Sequence, residues 1–369
     1  MHKEAGERRD FLPDLAAFLA ERGCEVFVEK GIGSGMGLSD EDYASRSKRI
    51  HVVDNAAAFA QDFVLTLRCP ELDEFPKLKA GATLISMIHF PTRPRRIRRL
   101  LGLGVDAIGL DTIADDEGRR LVENMKAVAW NGVEAAFDAL EKTAPELFQR
   151  GRPVRATVMG AGQVGKHAVE AATKHGNLER ARRVTKHGGP GVEVTVLGRA
   201  LTGDRAYLAE RLKKTDVLVD ATQRADPTTP LIDNDAVGLL PKHAVVCDLV
   251  VDPYILSVTP RTVRSIEGIP QGNLNQYVFL PEDPKWDDTV PKEVPSTHRR
   301  AAATCYSWPG VHPKECMAHY GRQLRPMLEV LLNRGGTKGL RADGEYLERA
   351  LHRATLGAWS QHAATAENE

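Results

Sequence analysis

The chain has few cysteines, no net charge and no long apolar run, and each absence removes a class of function. Its five cysteines (Cys24, Cys69, Cys247, Cys305 and Cys316) are odd in number, scattered and free of C-x-x-C spacing, which argues against a disulfide framework and against a zinc site. Lysine plus arginine number 50 and aspartate plus glutamate number 50. No bulk charge therefore draws the chain to nucleic acid or to a membrane surface. No apolar stretch is long enough to span a bilayer, and no secretory leader is visible. There is no internal repeat and no low-complexity tract. The run Arg93–Arg99 is basic but is read as the solvated face of a helix. Together these absences predict a soluble cytoplasmic protein with reduced thiols and no bound metal. With 369 residues there is length for two domains, each with its own core.

What is present is sharper. Residues 155–165 read Arg-Ala-Thr-Val-Met-Gly160-Ala-Gly162-Gln163-Val164-Gly165, an apolar strand that runs into G-x-G-x-x-G and then into the helix-forming Lys-His-Ala-Val-Glu-Ala-Ala. The first glycine permits a tight turn, the second leaves room for a pyrophosphate, and the third lets helix and strand pack closely. The phosphates of a dinucleotide would sit on the free N–H groups at the helix start. The next strand, Val192–Leu197, ends in Gly198 and Arg199, where an NAD site usually carries a carboxylate for the ribose 2′-hydroxyl. A missing carboxylate beside a guanidinium favours NADP(H), with NAD(H) held through backbone contacts as the alternative. Asn177–Gly191, basic and glycine-rich, reads as a surface excursion over the cofactor.

Along the chain, Pro13–Arg22 has helical periodicity that Gly23 ends, and Glu25–Glu29 alternates as a strand. Asp62–Leu67 and Ala82–Ile88 are near-continuous apolar runs, as in parallel strands covered on both faces. A long helix is expected over 118–142. Thr215–Asp220 and Ala244–Val251 are further apolar strands ending in polar residues, where open parallel sheets place ligands. Residues 281–300 read as a loop, helices follow at 321–333 and 345–354, and the tail beyond Ser360 reads as frayed. The predicted fold is α/β: two Rossmann-like doubly wound parallel-sheet domains with an active-site cleft between them. Residues 1–127 plus 305–369 would form the substrate domain, and 128–304 the dinucleotide-binding domain.

Several segments resemble the alanine dehydrogenase/pyridine nucleotide transhydrogenase superfamily, which includes saccharopine dehydrogenases and N5-(carboxyethyl)ornithine synthase. Val26–Tyr43 (Val-Phe-Val-Glu-Lys-Gly-Ile-Gly-Ser-Gly-Met-Gly-Leu-Ser-Asp-Glu-Asp-Tyr) is similar to the corresponding family stretch, and Gly6-Glu-Arg-Arg9 through Pro13 to its opening motif. The resemblance implies that Arg8 grips a substrate carboxylate, with Arg9 beside it. Ile85-Ser-Met-Ile-His89-Phe resembles the strand ending in the catalytic histidine, and Asp248-Leu-Val-Val-Asp252 the strand whose last aspartate faces nicotinamide and substrate. Ser307-Trp-Pro-Gly-Val-His-Pro313 is similar to the family's Asn-Met-Pro-Gly-Ala-Val-Pro loop, and Leu110–Arg120 is nearer the saccharopine branch. Thr222 and Ser307 join Gly160, Gly162, Gln163, Val164, Gly165 and Arg199 as expected cofactor contacts.

Two departures bear on the substrate. Leu67-Arg68-Cys69-Pro70 places arginine where the family has a catalytic lysine. Arginine binds a carboxylate bidentately but stays protonated. Ser307 replaces asparagine, with bulky Trp308 beside it. The expected chemistry is hydride transfer at a CH–NH bond of an amino acid or opine-like secondary amine. His89 would be the proton shuttle, since an imidazole titrates near neutral pH. Arg68 would hold and polarise the acid, and Asp252 would accept from an amine or orient the carboxamide. NAD-dependent alanine dehydrogenase and a non-catalytic transhydrogenase-like module are the alternatives. The resemblance also implies a homo-oligomer.

Overall fold

The computed structural model describes residues 5–149, 151–224, 226–257 and 259–366. These residues divide into two compact α/β units, one built from residues 7–124 and 312–366, the other from the described residues of 125–311 together with residues 5–6.

The first unit contains five parallel strands: β1 (Val26–Glu29), β2 (Ile50–Val53), β3 (Phe63–Arg68), β4 (Thr83–Met87) and β5 (Asp106–Gly109). They form two sheets, β1 with β2 and β3 with β4 and β5. The larger sheet is covered on both faces, which explains its near-continuous apolar strands. Leu67, Ile85 and Ile108 pack with Leu324, Leu328 and Leu351, and Val64, Leu84 and Ala107 with Ile97, Leu100 and Leu356.

The second unit contains β6 (Val154–Met159), β7 (Val192–Leu197), β8 (Val217–Asp220), β9 (Val245–Asp248), β10 (Val278–Phe279) and β11 (Ala301–Thr304). Its sheet runs β10-β11-β9-β8-β6-β7, parallel except for β10, which is antiparallel to β11. The helix Met125–Thr143 lies across one face of this sheet, its Ala129, Val133, Ala136 and Leu140 packed with Val158, Val219 and Cys247. Close approach explains its small residues: a Cβ on Gly132 would come within 2.3 Å of Leu249. Leu208, Leu212 and Val237 cover Leu218 and Val246 on the other face.

The structure corrects five expectations. The helix predicted over 118–142 begins only at Met125. Residues before it form a turn in which Asp115 accepts from the backbone of Glu117 and Arg119, and Gly118 has φ +77°. The stretch 177–191 is no excursion but carries a helix, Leu178–Lys186, capped by Asn177. Buried Arg180 anchors it through Asp138 and Glu141. Within 281–300, Lys285–Thr289 is helical because Trp286 is buried and its indole donates to Gly268 O at 3.0 Å. The C-terminal segment is helical from Leu356 to Ala366, and the helix expected over 321–333 is longer, running Pro313–Asn333.

Candidate active site

In the second unit the strand ends gather the residues expected to hold a dinucleotide. Gly160 follows β6 with φ +100°, and a Cβ there would lie 2.3 Å from Ala221 O. A Cβ on Gly165 would lie 2.0 Å from Gly160 O, while one on Gly162 would meet nothing within 4 Å. The first and third glycines are thus required by the fold, whereas the second opens onto free space. The helix Gln163–Thr173 starts here without a capping side chain, and its first turn-closing bond is Lys166 N to Gly162 O at 2.9 Å. The N–H groups of Gln163, Val164 and Gly165 sit at the positive end of the helix dipole, so this turn fits a diphosphate. Gly198 ends β7 and caps a short helix begun by exposed Arg199. Nearby Thr202 is buried and donates to Arg199 O at 3.0 Å.

Asp220, Asp248 and Thr304 stand in register across β8, β9 and β11, and fully buried Arg264 bonds both Asp248 and Thr304. Thr222, an expected cofactor contact, donates its hydroxyl to Asp220 Oδ1 at 2.7 Å and its N–H at 3.0 Å. Burial, then repulsion from Asp248, pushes the Asp220 carboxyl up from 3.8 to about 6. Protons therefore bind the folded state more tightly than the unfolded chain. This group's contribution is greatest below pH 3.8 and is lost as pH rises through about 6. Asp220→Asn is expected to raise stability at pH 7.5 by on the order of 1–3 kcal/mol and to change it little at pH 3.5. Urea denaturation at the two pH values checks this, and an equal effect at both would contradict it.

Asp252 is held rather than free: Arg224 Nη2 donates to it at 2.5 Å, and the same guanidinium reaches Thr229 O and Val263 O. Between it and Asp248, Val251 has φ +59°, an outlier for a β-branched residue of the kind that clusters at functional loops. Ser307 begins a turn closed by Gly310 N to Ser307 O. Trp308 fixes this turn, its indole donating to Asp248 O at 2.8 Å and its carbonyl accepting from Asn131.

In the first unit β3 ends in Arg68, His89 lies two residues beyond the end of β4, and Asp111 two residues beyond the end of β5. His89 has φ +59° and its backbone N–H donates to Asp111 Oδ1 at 3.1 Å. Its Nδ1 lies 3.2 Å from Asp111 Oδ2, with the imidazole half exposed and the carboxylate buried. Burial would raise the Asp111 carboxyl, but the hydrogen bonds from His89 outweigh it and hold it low. Arg120 secures the same residue by donating to Asp111 O at 2.8 Å. The imidazole is thereby held at its Nδ1 edge.

Arg9, expected beside Arg8 at the substrate carboxylate, is instead buried. Its Nε and Nη2 donate to Glu7 at 2.9 and 2.6 Å. Arg68 Nη1 reaches the same carboxylate at 3.5 Å and stays 42% exposed. Although burial alone would raise the Glu7 carboxyl, Arg9 and Arg68 bring it down to about 2. Arg8 is exposed, its stem against Gly35. Sequence reasoning missed Glu7, Asp111, Asp220 and Arg264. The first two lie inside quoted motifs and Asp220 at a noted strand end, whereas Arg264 follows the weakly patterned stretch after Asp252.

Residues 2–129 match the model of the alanine dehydrogenase/PNT N-terminal domain family. The chain is 27% identical over 266 residues to an alanine dehydrogenase of Halomonas elongata, covering 65% of this chain and 68% of that protein. Over residues 2–129 the chain thus resembles the N-terminal domain of the alanine dehydrogenase/PNT family. Against a Mycolicibacterium smegmatis alanine dehydrogenase it is 25% identical over 258 residues, 65% of this chain and 68% of the relative. Its fold matches a solved L-alanine dehydrogenase with a TM-score of 0.70 at 21% identity, over 96% of this chain and 92% of the other. A transhydrogenase from Sinorhizobium meliloti gives 0.63 at 18% identity, over 90% and 92%. Among the described residues no helix is long and apolar enough to cross a membrane, and no cluster of acidic, His or Cys side chains would hold a metal ion.

Proposed function

We propose that the protein is an NAD(P)-dependent dehydrogenase acting at the CH–NH bond of an amino acid or opine-like secondary amine. The observation that carries this reading is the half-exposed imidazole of His89, locked in a left-handed backbone and tethered at Nδ1 by a buried carboxylate. A nucleotide-binding module that only passes hydride to a partner has no use for such a group. The second unit holds the dinucleotide at the Gly160 turn, and the nicotinamide supplies or accepts the hydride when bound. His89 exchanges the proton through Nε2, and Asp111 keeps the ring in one tautomer and supports it when charged. Arg68 and Arg8 take the substrate acid. Arginine at position 68, which binds a carboxylate bidentately but stays protonated, favours a conjugate substrate over alanine. NAD-dependent alanine dehydrogenase is the second reading, supported by the activity named for the relatives.

Gly198 and exposed Arg199 support NADP(H) over NAD(H), because a guanidinium pairs with a 2′-phosphate. Arg199→Ala is expected to raise KM for NADPH about tenfold or more and KM for NADH less than threefold. The test is dinucleotide oxidation with pyruvate or 2-oxoglutarate paired with ammonia, ornithine or lysine. Turnover with an amine such as ornithine or lysine supports the conjugate substrate, and turnover with pyruvate and ammonia alone selects alanine dehydrogenase. Hydride exchange between two dinucleotides without any acid would overturn both.

A further inference from the structure

The chain that leaves β9 returns to the strand ends it came from. Ile255 and Thr262 exchange backbone hydrogen bonds at 2.9 Å in antiparallel fashion, which turns the excursion back on itself. Its returning arm is pinned to the segment after β8: Val263 N donates to Pro227 O, and Leu231 N and Ile232 N donate to Ser265 O. Two side chains are thereby brought to the strand ends. Ser265 Oγ lies 3.4 Å from the Thr222 hydroxyl, and Arg264 bonds Asp248 of β9 and Thr304 of β11. Arg264 is fully buried, a position a guanidinium takes only with partners that meet its charge.

Asp248 is the hub of what lies beyond. Its Oδ1 accepts from Val250 N at 2.9 Å and Val251 N at 3.0 Å, a local turn of the kind aspartate favours. That turn holds Val251 at φ +59° and sets the direction in which the chain reaches Asp252. The Asp248 carbonyl accepts from the Trp308 indole, which fixes the turn begun by Ser307. Its Oδ2 is taken by Arg264 Nη2, which also donates to Thr304 Oγ1 at 2.7 Å. A carboxylate held at both oxygens cannot rotate away from the loop it organises. The peptide before Arg264 is tied in as well, since Arg224 Nη2 bonds both Asp252 and Val263 O.

The halves of a dinucleotide lie on either side of the switch point in such a sheet. With adenosine on the β7 side, beside Arg199, the ends of β8 and β9 are left for the nicotinamide half. We infer that Arg264 is a positioning residue for that half of the site: it locks the Asp248 carboxylate and, through it, the 249–252 loop and the Ser307 turn. This rests on the dinucleotide reading of the Gly160 turn. Being fully buried, Arg264 acts through Asp248 and not on a substrate.

The test compares, by calorimetric titration, each dinucleotide with the same molecule lacking nicotinamide: NADH with ADP-ribose, and NADPH with 2′-phospho-ADP-ribose. Arg264→Lys keeps a buried cation for Asp248 but replaces the rigid fork with a point charge on a flexible stem. It is expected to weaken dinucleotide binding about tenfold while the fragments lose less than about twofold. Thr304→Val removes one partner of Arg264 at nearly constant volume and leaves the ion pair in place. It should weaken the dinucleotides about threefold and the fragments not at all. A purely structural role would weaken both members of a pair alike. Equal losses, or no loss in either variant, would overturn the positioning role and leave the dinucleotide reading standing. A parent protein that binds neither member of either pair would overturn both.

Discussion

Substitution of His89 by alanine is expected to lower kcat by two to four orders of magnitude, the usual worth of a positioned proton donor, with KM for the oxo acid within about threefold. The half-exposed ring fills no core, so Tm should hold. Asp111→Asn is the more discriminating variant. It keeps an acceptor for the His89 backbone N–H but removes the charge that fixes the ring at Nδ1. A fall in kcat of about 100-fold, with an altered pH profile and unchanged substrate KM, is the result expected of a positioning residue. Steady-state kinetics across pH measure both. If His89→Ala keeps kcat within a few-fold of the parent, the proton is carried elsewhere and the reading fails.

The glycine turn gives a second large effect, one that separates folding from binding. Gly165→Ala places a methyl 2.0 Å from Gly160 O, a backbone contact that no rotamer relieves. A loss of about 3 kcal/mol and a Tm lower by on the order of 10 °C should follow. Gly162→Ala meets nothing within 4 Å and should leave Tm nearly unchanged. It should nevertheless weaken dinucleotide binding about 100-fold, because its methyl enters the space a diphosphate needs. Thermal unfolding and fluorescence titration with NADPH and NADH report the two properties independently. Equal binding by Gly162→Ala and the parent would mean that the turn is structural only.

The parts of the molecule legible in the sequence are those set by local periodicity and backbone geometry. The apolar runs at Asp62–Leu67 and Ala82–Ile88 read as strands because both faces are covered, and the G-x-G-x-x-G spacing states its steric requirement outright. Partners distant in sequence were not legible. Asp111 matters because β5 ends beside β4, and Glu7 because it folds back on Arg9, which turned an expected substrate ligand into an internal ion pair. Short strands such as Ile50–Val53 carry too few residues to show a period. The helix at Leu178–Lys186 was hidden by its charge, which is absorbed by acidic partners on the neighbouring helix.

The most direct test of the central claim follows the hydride itself. With NADPH or NADH carrying deuterium at the transferable position, and an oxo acid and amine that support turnover, mass spectrometry of the product should show one deuterium on the carbon of the new CH–NH bond. An unlabelled product, or a label that leaves one dinucleotide only for another, would contradict the assignment of this chain as an amino-acid or opine-type dehydrogenase.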